Sequence, residues 1–343
     1  MKLLWLDLNS SYAHSSLALP ALHAQIADDT TIEWCIVSAT INENTGMVVS
    51  RIHKHRPDII AATNWLFNHE QLLHIISRAK ALLPHCCIVL GGPEFLGNNE
   101  AFLYKNKFVS GVFRGEGEEV FPQWLKVWNH SKETWKSITG LCYLDENGRY
   151  QDNGIARVMN FSQLVSPEKS CFFNWSKPFV QLETTRGCFN TCAFCVSGGE
   201  KPVRTIPLEA IRERLNDIHQ HGIKNVRVLD RTFNYNNKRA KELLDLFRQY
   251  PDICFHLEIH PALLSEELKQ ELSVLPKGLL HLEAGIQSLK ESVLQQSHRI
   301  GKLSDALEGL KYLCSLKNME THADLIAGLP LYHLSEIFED VRT

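Results

Sequence analysis

No stretch of this chain is both long and apolar enough to cross a membrane as a helix. The start, Met1-Lys2-Leu3-Leu4-Trp5-Leu6-Asp7, is broken by Asp7 before it reaches the length of an export-signal core. Charge of one sign is also lacking. The net charge is −3, so neither nucleic acid nor an acidic bilayer has a basic surface to grip. These absences predict a cytoplasmic protein with no membrane or nucleic-acid partner. Ten cysteines in a reducing compartment then serve as metal ligands or core residues rather than disulfides. Seven of them, Cys35, Cys86, Cys87, Cys142, Cys171, Cys254 and Cys314, mostly lie in apolar contexts and read as small buried hydrophobes.

What is present is alternation. With 343 residues, 44% of them hydrophobic, the chain can build two ordinary domains. In the first, short apolar runs at 3–8, 32–38, 58–63, 86–91 and 109–115 predict strands, with amphipathic helices between them such as 71–83. Near-continuous apolar strands alternating with helices predict a doubly wound, Rossmann-like α/β domain over 1–137, with its ligand crevice at the carboxyl ends of the strands. Residues 138–178 read as a hairpin turned at Asn147-Gly148, followed by an irregular linker. A second alternation fills 179–343, with strands at 179–184, 225–230, 253–259, 279–285 and 321–327. Repeated βα units of this length predict a partial β/α (TIM-type) barrel, whose working residues lie past the C-terminal strand ends.

Just after the first of those strands comes Thr185-Arg186-Gly187-Cys188-Phe189-Asn190-Thr191-Cys192-Ala193-Phe194-Cys195. A structural zinc site closes four ligands, and this cluster offers three. Three thiolates suit an iron–sulfur cluster with one iron left open. Zinc, or three unrelated buried cysteines, remains the competing reading of the spacing alone. A brown colour in protein kept under nitrogen separates iron from both.

The triplet, with Phe194 before its last cysteine, resembles the signature of the radical S-adenosylmethionine (SAM) superfamily. Leu282-Glu283-Ala284-Gly285-Ile286-Gln287-Ser288 and Asp324-Leu325-Ile326-Ala327-Gly328-Leu329-Pro330 match as well. The resemblance implies a [4Fe–4S] cluster on Cys188, Cys192 and Cys195, with SAM chelated at the open iron and reductively cleaved to a 5′-deoxyadenosyl radical. It implies SAM contacts from Phe194, Glu258, Gln287, Ser288, Arg299 and Asp324. Ser197-Gly198-Gly199-Glu200 imitates the superfamily's Gly-Gly-Glu motif but in the wrong place. Asp230, at the end of the second barrel strand, is therefore the expected amino-group contact. The chain stops after the fifth barrel strand, where the superfamily normally adds a sixth, so a truncated barrel is expected.

The N-terminal half resembles the cobalamin-binding domain of one radical SAM class, through Leu90-Gly91-Gly92-Pro93-Glu94 and Arg114-Gly115-Glu116-Gly117-Glu118-Glu119. The resemblance implies cobalamin contacts from Gly91, Gly92, Gly115, Glu116 and Gly117, with Tyr12, His14, Thr63 and Trp65 lining the lower face. The Asp-x-His-x-x-Gly sequence that ligates cobalt from below is altered here, keeping only His14. Without a carboxylate to orient its imidazole, His14 is expected to hydrogen-bond locally.

The expected activity is cobalamin-dependent radical SAM chemistry, with methyl transfer to an unactivated centre in a small-molecule or peptide substrate as the leading reading. A reductase or flavodoxin-type protein is the expected electron donor. A radical cyclase or rearrangement enzyme without methyl transfer, and a non-catalytic cobalamin- or SAM-binding sensor, are the alternatives.

Overall fold

The computed structural model describes residues 1–14, 16–198 and 200–342. It divides into two compact units, Met1–Lys177 and Pro178–Thr343.

The first unit is a seven-stranded sheet of order β2-β1-β3-β4-β5-β6-β7. Its strands are β1 (Lys2–Asn9), β2 (Glu33–Thr40), β3 (Ile59–Thr63), β4 (Cys87–Gly91), β5 (Gly111–Phe113), β6 (Leu141–Leu144) and β7 (Tyr150–Asp152). Helices α1 (Ala18–Ala24), α2 (Thr45–His55), α3 (His69–Leu82), α4 (Glu100–Lys105) and α5 (Val120–Leu125) connect or follow the first five. Successive strand side chains point to opposite faces, and both faces here are covered. Leu4, Leu6 and Ile60 pack with Val48 and Ile52 of α2 and Leu72, Ile75 and Ile76 of α3. Leu3, Trp5 and Ile59 pack on the other side with Leu19 of α1 and Phe121 and Trp124 of α5. Burial on both faces explains why these strands read as continuous apolar runs. The strand order reverses between β1 and β3, so their two connections diverge and leave a crevice.

The hairpin belongs to the first sheet. β6 pairs antiparallel with β5, Val112 facing Cys142 and Phe113 facing Leu141, and Leu141, Cys142 and Tyr143 are fully buried. Its apolar residues extend the first sheet, so that unit runs on to Lys177.

The second unit holds a five-stranded parallel sheet of order β14-β13-β12-β11-β8. Its strands are β8 (Val180–Leu182), β11 (Asn225–Val228), β12 (Cys254–Ile259), β13 (Leu280–Gln287) and β14 (Glu320–Leu325). A small antiparallel pair, β9 (Thr185–Arg186) and β10 (Arg204–Thr205), follows β8. Helices α6 (Leu208–Gln220), α7 (Asn237–Phe247), α8 (Glu266–Ser273), α9 (Glu291–Gln296), α10 (Leu303–Ser315) and α11 (Leu334–Arg342) complete it. Each strand lies beside the one before, the expected partial β/α barrel. Here burial alternates. Leu280, Leu282, Ala284 and Ile286 of β13 are buried, whereas His281, Glu283, Gly285 and Gln287 are only partly so. One face therefore packs against helices, as where Phe247 of α7 stacks on Phe255 of β12 at 4.0 Å. The other face is polar and reachable by solvent.

Gly115 follows β5 with φ 102° and bridges to Ala156. A Cβ there would collide with the Ala156 carbonyl oxygen. Gly115→Ala should lower the unfolding free energy by roughly 2 kcal/mol or more, the cost of left-handed backbone plus a clash. Gly148→Ala at the hairpin tip, with φ 74° but open surroundings, should cost about 1 kcal/mol. Urea denaturation of both variants checks the ordering.

Candidate functional site

The three clustered cysteines sit on a loop closed at its neck by β9 and β10, with Arg186 opposite Arg204 and Thr185 opposite Thr205. Inside the neck the loop is tied to itself. The Cys188 amide donates to the Glu200 carbonyl at 3.0 Å, the Cys195 amide to Cys192 at 3.2 Å and the Gly198 amide to Cys195 at 2.9 Å. A fourth bond, from the Ala193 amide to the Ser297 carbonyl at 3.0 Å, anchors the loop to the segment after α9. Cys188 and Cys192 are buried, Cys195 is half-buried and Phe194 is exposed.

Burial pushes the Cys188 and Cys192 thiols up, and the neighbouring cysteines push them further. The Arg299 guanidinium opposes this at Cys192, through its charge and its nearby donor groups. Buried sulfurs that raise one another's proton affinity favour either protons or a bound cation. That donor set fits a cluster held by three thiolates.

Arg299 reaches this position because its Nη2 also donates to the Gly285 carbonyl at 2.5 Å. Gly285 is needed there, since a Cβ would collide with the Gln287 amide. The β13–β14 register shifts between Gly285 and Gln287, and Gln287 takes φ 73°. Such an irregularity re-aims a side chain. The Gln287 Oε1 is buried with no hydrogen-bond partner, an acceptor available to a ligand.

Glu258 and Asp324 lie on the same polar face. Burial, then the charge of Glu283, pushes the Glu258 carboxyl up to about 7. A hydrogen bond with Glu283 raises Asp324 to about 6. Cys192, Gln287 and Arg299 thus come together, as do Glu258 and Asp324 through Glu283.

Two expected SAM contacts are placed otherwise. Asp230 is 1% exposed and its carboxylate is engaged. It accepts from the Thr184 and Thr185 amides at 2.8 and 2.9 Å and from the Thr184 hydroxyl. It supports the root of the cysteine loop rather than facing outward. Ser288 is fully buried and donates to Asp340, which also holds the Leu289 amide and the Tyr332 hydroxyl. Both placements have one cause: a polar residue out of reach of solvent takes the nearest partner, backbone for Asp230 and a carboxylate for Ser288. Glu200, set aside on sequence grounds, lends its carbonyl to Cys188.

His260 gave no signal in the sequence. It is 3% exposed, neither ring nitrogen has a partner, and burial followed by the Arg299 charge brings it down to about 4. It is a neutral imidazole beside Arg299.

In the first unit the crevice between β1 and β3 is flanked by Tyr12, His14 and Trp65. His14 Nδ1 lies 2.8 Å from the Ser11 hydroxyl, the local bond expected of it. The Tyr12 hydroxyl donates to Glu43 at 3.2 Å. Trp65 is exposed and stacks on Phe67 at 6.3 Å, with Leu66 between them 82% exposed. Asn68 sets this loop: its Nδ2 donates to the Leu8 and Thr63 carbonyls at 2.9 and 3.1 Å, and its Oδ1 accepts from the Trp65 amide. An exposed aromatic shelf at a topological switch point fits a large, flat, partly apolar ligand such as a corrin.

The glycines of the two Gly-containing motifs sit close to the chain itself. Gly92 packs on Thr63 and Asn64, and Gly117 on Leu22; Gly91 closes β4. Gly115 approaches Ala156, and Glu116 accepts from the Val158 amide at 2.7 Å. The close backbone approaches at Gly92 and Gly115 are to the chain's own backbone.

Residues 182–342 match the radical SAM superfamily and residues 8–125 the B12 binding domain. The chain thus carries a radical SAM domain and a B12-binding domain. Its cofactors are accordingly a [4Fe–4S] cluster, SAM and cobalamin. Among curated relatives, an uncharacterised methyltransferase of Pyrococcus horikoshii is 26% identical over 81% of this chain and 62% of its own length. The cobalamin-dependent radical SAM methyltransferase TokK of Streptomyces tokunonensis is 19% identical, over 80% and 43%. The chain thus spans less than two thirds of either. Two solved structures share the fold across 99% of this chain. The radical SAM methyltransferase TsrM of Kitasatospora setae has TM-score 0.77, 15% identity and 70% of its own length covered. The cobalamin-dependent radical enzyme OxsB has 0.78, 17% and 51%.

The Glu258 carboxyl is held above its usual value of 4.5 in the folded protein. The folded state thus binds this proton more tightly than the unfolded one, and stability falls as pH rises from 4.5 through 7. Glu258→Gln removes that loss. The variant should melt several degrees above the parent at pH 8, and the gap should close below pH 5. A series of thermal melts checks it.

Proposed function

We propose that this chain transfers a methyl group to an unactivated carbon or phosphorus centre of a small-molecule or peptide substrate. The observation that carries the reading is the set of three thiols with the Arg299 guanidinium on Cys192, at the carboxyl end of a partial barrel in a chain with a B12-binding domain. Cys188, Cys192 and Cys195 hold the cluster. When bound, cluster and SAM supply a carbon radical from one-electron cleavage of the sulfonium, and cobalamin supplies a methyl carrier.

The chain's own groups bind and orient. Arg299 pairs with the methionine carboxylate of SAM, a charge-assisted contact. Gln287 offers its unpartnered oxygen, while Glu258 and Asp324 accept from ribose hydroxyls or the amino group. Phe194 gives an exposed ring beside the last thiol. The Trp65–Phe67 shelf, with Tyr12, His14 and Thr63, would line the site of the corrin, which would supply the methyl carrier. The electron comes from a reductase or flavodoxin-type partner. Ten free thiols suit a reducing cytoplasm, and no helix among the described residues is long and apolar enough to cross a membrane.

After anaerobic reconstitution, SAM and a strong reductant should yield 5′-deoxyadenosine, and Cys192→Ala should reduce it to background with loss of iron. An intact cluster that gives none, with or without candidate substrates, overturns the radical reading. Arg299→Ala should keep its iron yet bind SAM at least about tenfold more weakly, as expected for a lost charged contact, measured by equilibrium dialysis. Hydroxocobalamin should bind with a base-off spectrum.

A further inference from the structure

Three histidines lie together on the polar face of the second sheet, and the SAM contacts account for none of them. In the register His256 faces His281, Glu258 faces Glu283, and Glu283 faces His322. His256 Nε2 is 2.8 Å from Glu283 Oε2, and His322 Nε2 is 3.7 Å from the same oxygen. One ligand atom from each of the three residues lies within 4.8 Å of the others. Tetrahedral coordination at about 2.0–2.1 Å per bond separates ligand atoms by about 3.3 Å, and the two distances bracket that value. The two imidazoles are held with their ligand nitrogens within 4.8 Å of each other, so side-chain rotation that draws them together would close the set around an ion.

The surroundings hold His322 in a ligating posture. Its Nδ1 lies 2.8 Å from His281 Nε2, so Nε2 is the nitrogen presented to Glu283. Behind it, His281 Nδ1 is 4.0 Å from Glu320. With His322 Nδ1–H donating to His281 Nε2, the His322 lone pair stands on Nε2, the way outer partners orient a ligating ring at metal centres. The His281 ring also stacks on His256 at 4.7 Å and meets His322 edge-on at 4.9 Å, which restricts both candidate ligands. The side chains are 19%, 32% and 44% exposed for His256, Glu283 and His322, leaving a path for entry.

We propose that His256 Nε2, Glu283 and His322 Nε2 bind one divalent transition-metal ion of the zinc class, with His281 positioning His322. Two imidazoles and a carboxylate suit such ions rather than magnesium or calcium. Three protein ligands leave a coordination position open, the pattern of a site that takes water or a substrate oxygen. Nitrogen and oxygen ligands distinguish the site from the thiol loop, and it stands whether or not the proposed methyl transfer does.

The test uses the full chain with its cluster reconstituted anaerobically, dialysed against zinc chloride. Zinc and iron are counted by mass spectrometry, and X-ray absorption is recorded at the zinc edge. Expected is one zinc per chain beyond the cluster iron, with only nitrogen and oxygen neighbours and the outer-shell scattering of two imidazoles. His256→Ala and the isosteric Glu283→Gln should each weaken zinc binding at least about tenfold, with circular dichroism confirming the fold, while Cys192→Ala leaves zinc at this site. No bound zinc, a sulfur shell at about 2.3 Å, or parental affinity in both ligand variants would overturn the proposal. Should a variant misfold, the imidazole scattering of the parent protein decides alone.

Discussion

The buried carboxylate of Asp230 is the point on which the second unit's chemistry depends. A charge removed from water is costly unless its oxygens are filled by donors. Asp230 fills them with the Thr184 amide and hydroxyl and the Thr185 amide. Those are the residues between β8 and the cysteine loop. The bond set fixes how the chain leaves the sheet, and β9–β10 pairing then closes the neck around residues 187–203. Loop position follows from the end of the adjacent strand, because β11 pairs with β8 through Val226, Arg227 and Val228.

A second constraint is the period of two. In the first sheet both faces are covered, so alternation is lost and the central strands are mostly apolar. In the second, one face packs on helices and the other carries Glu258, His281, Glu283, Gln287, His322 and Asp324. A one-residue slip would exchange the faces wholesale, so the packing of Leu257, Leu282 and Ala284 against helices also determines which polar groups meet. The raised carboxyls of Glu258 and Asp324 are a consequence of that crowding.

Much of this was legible in the sequence. Strands came out within a few residues of their positions because apolar runs and βα spacing are local signals, and the cysteine triplet was visible as spacing alone. The hairpin's attachment was not, since pairing of Leu141 and Cys142 with Val112 and Phe113 is a long-range event. The proximity of Arg299 to Cys192 spans over a hundred residues and depends on a bulge at Gln287. Nor did His256, His281 and His322 stand out. Each is an ordinary strand histidine until register aligns β12, β13 and β14.

Burial, rather than residue type, separates the polar groups that serve the fold from those free to meet a ligand. Asp230, Ser288 and Glu116 all sit at strand ends in family-like sequence, and each is absorbed by nearby backbone or an adjoining carboxylate. Glu258, Gln287 and Glu283 occupy comparable positions with an oxygen unpartnered or shared only with other titratable groups. The difference arises from what stands opposite. Asp230 faces two bare amides at a chain turn, while Glu283 faces strands whose own amides are already paired in the ladder. Where strands pair regularly in a parallel sheet their backbone is already satisfied, so side chains on the polar face, from Glu258 to Glu283, are left to one another and to ligands; only at the irregularity of Gly285 does a side chain, Arg299, serve strand backbone.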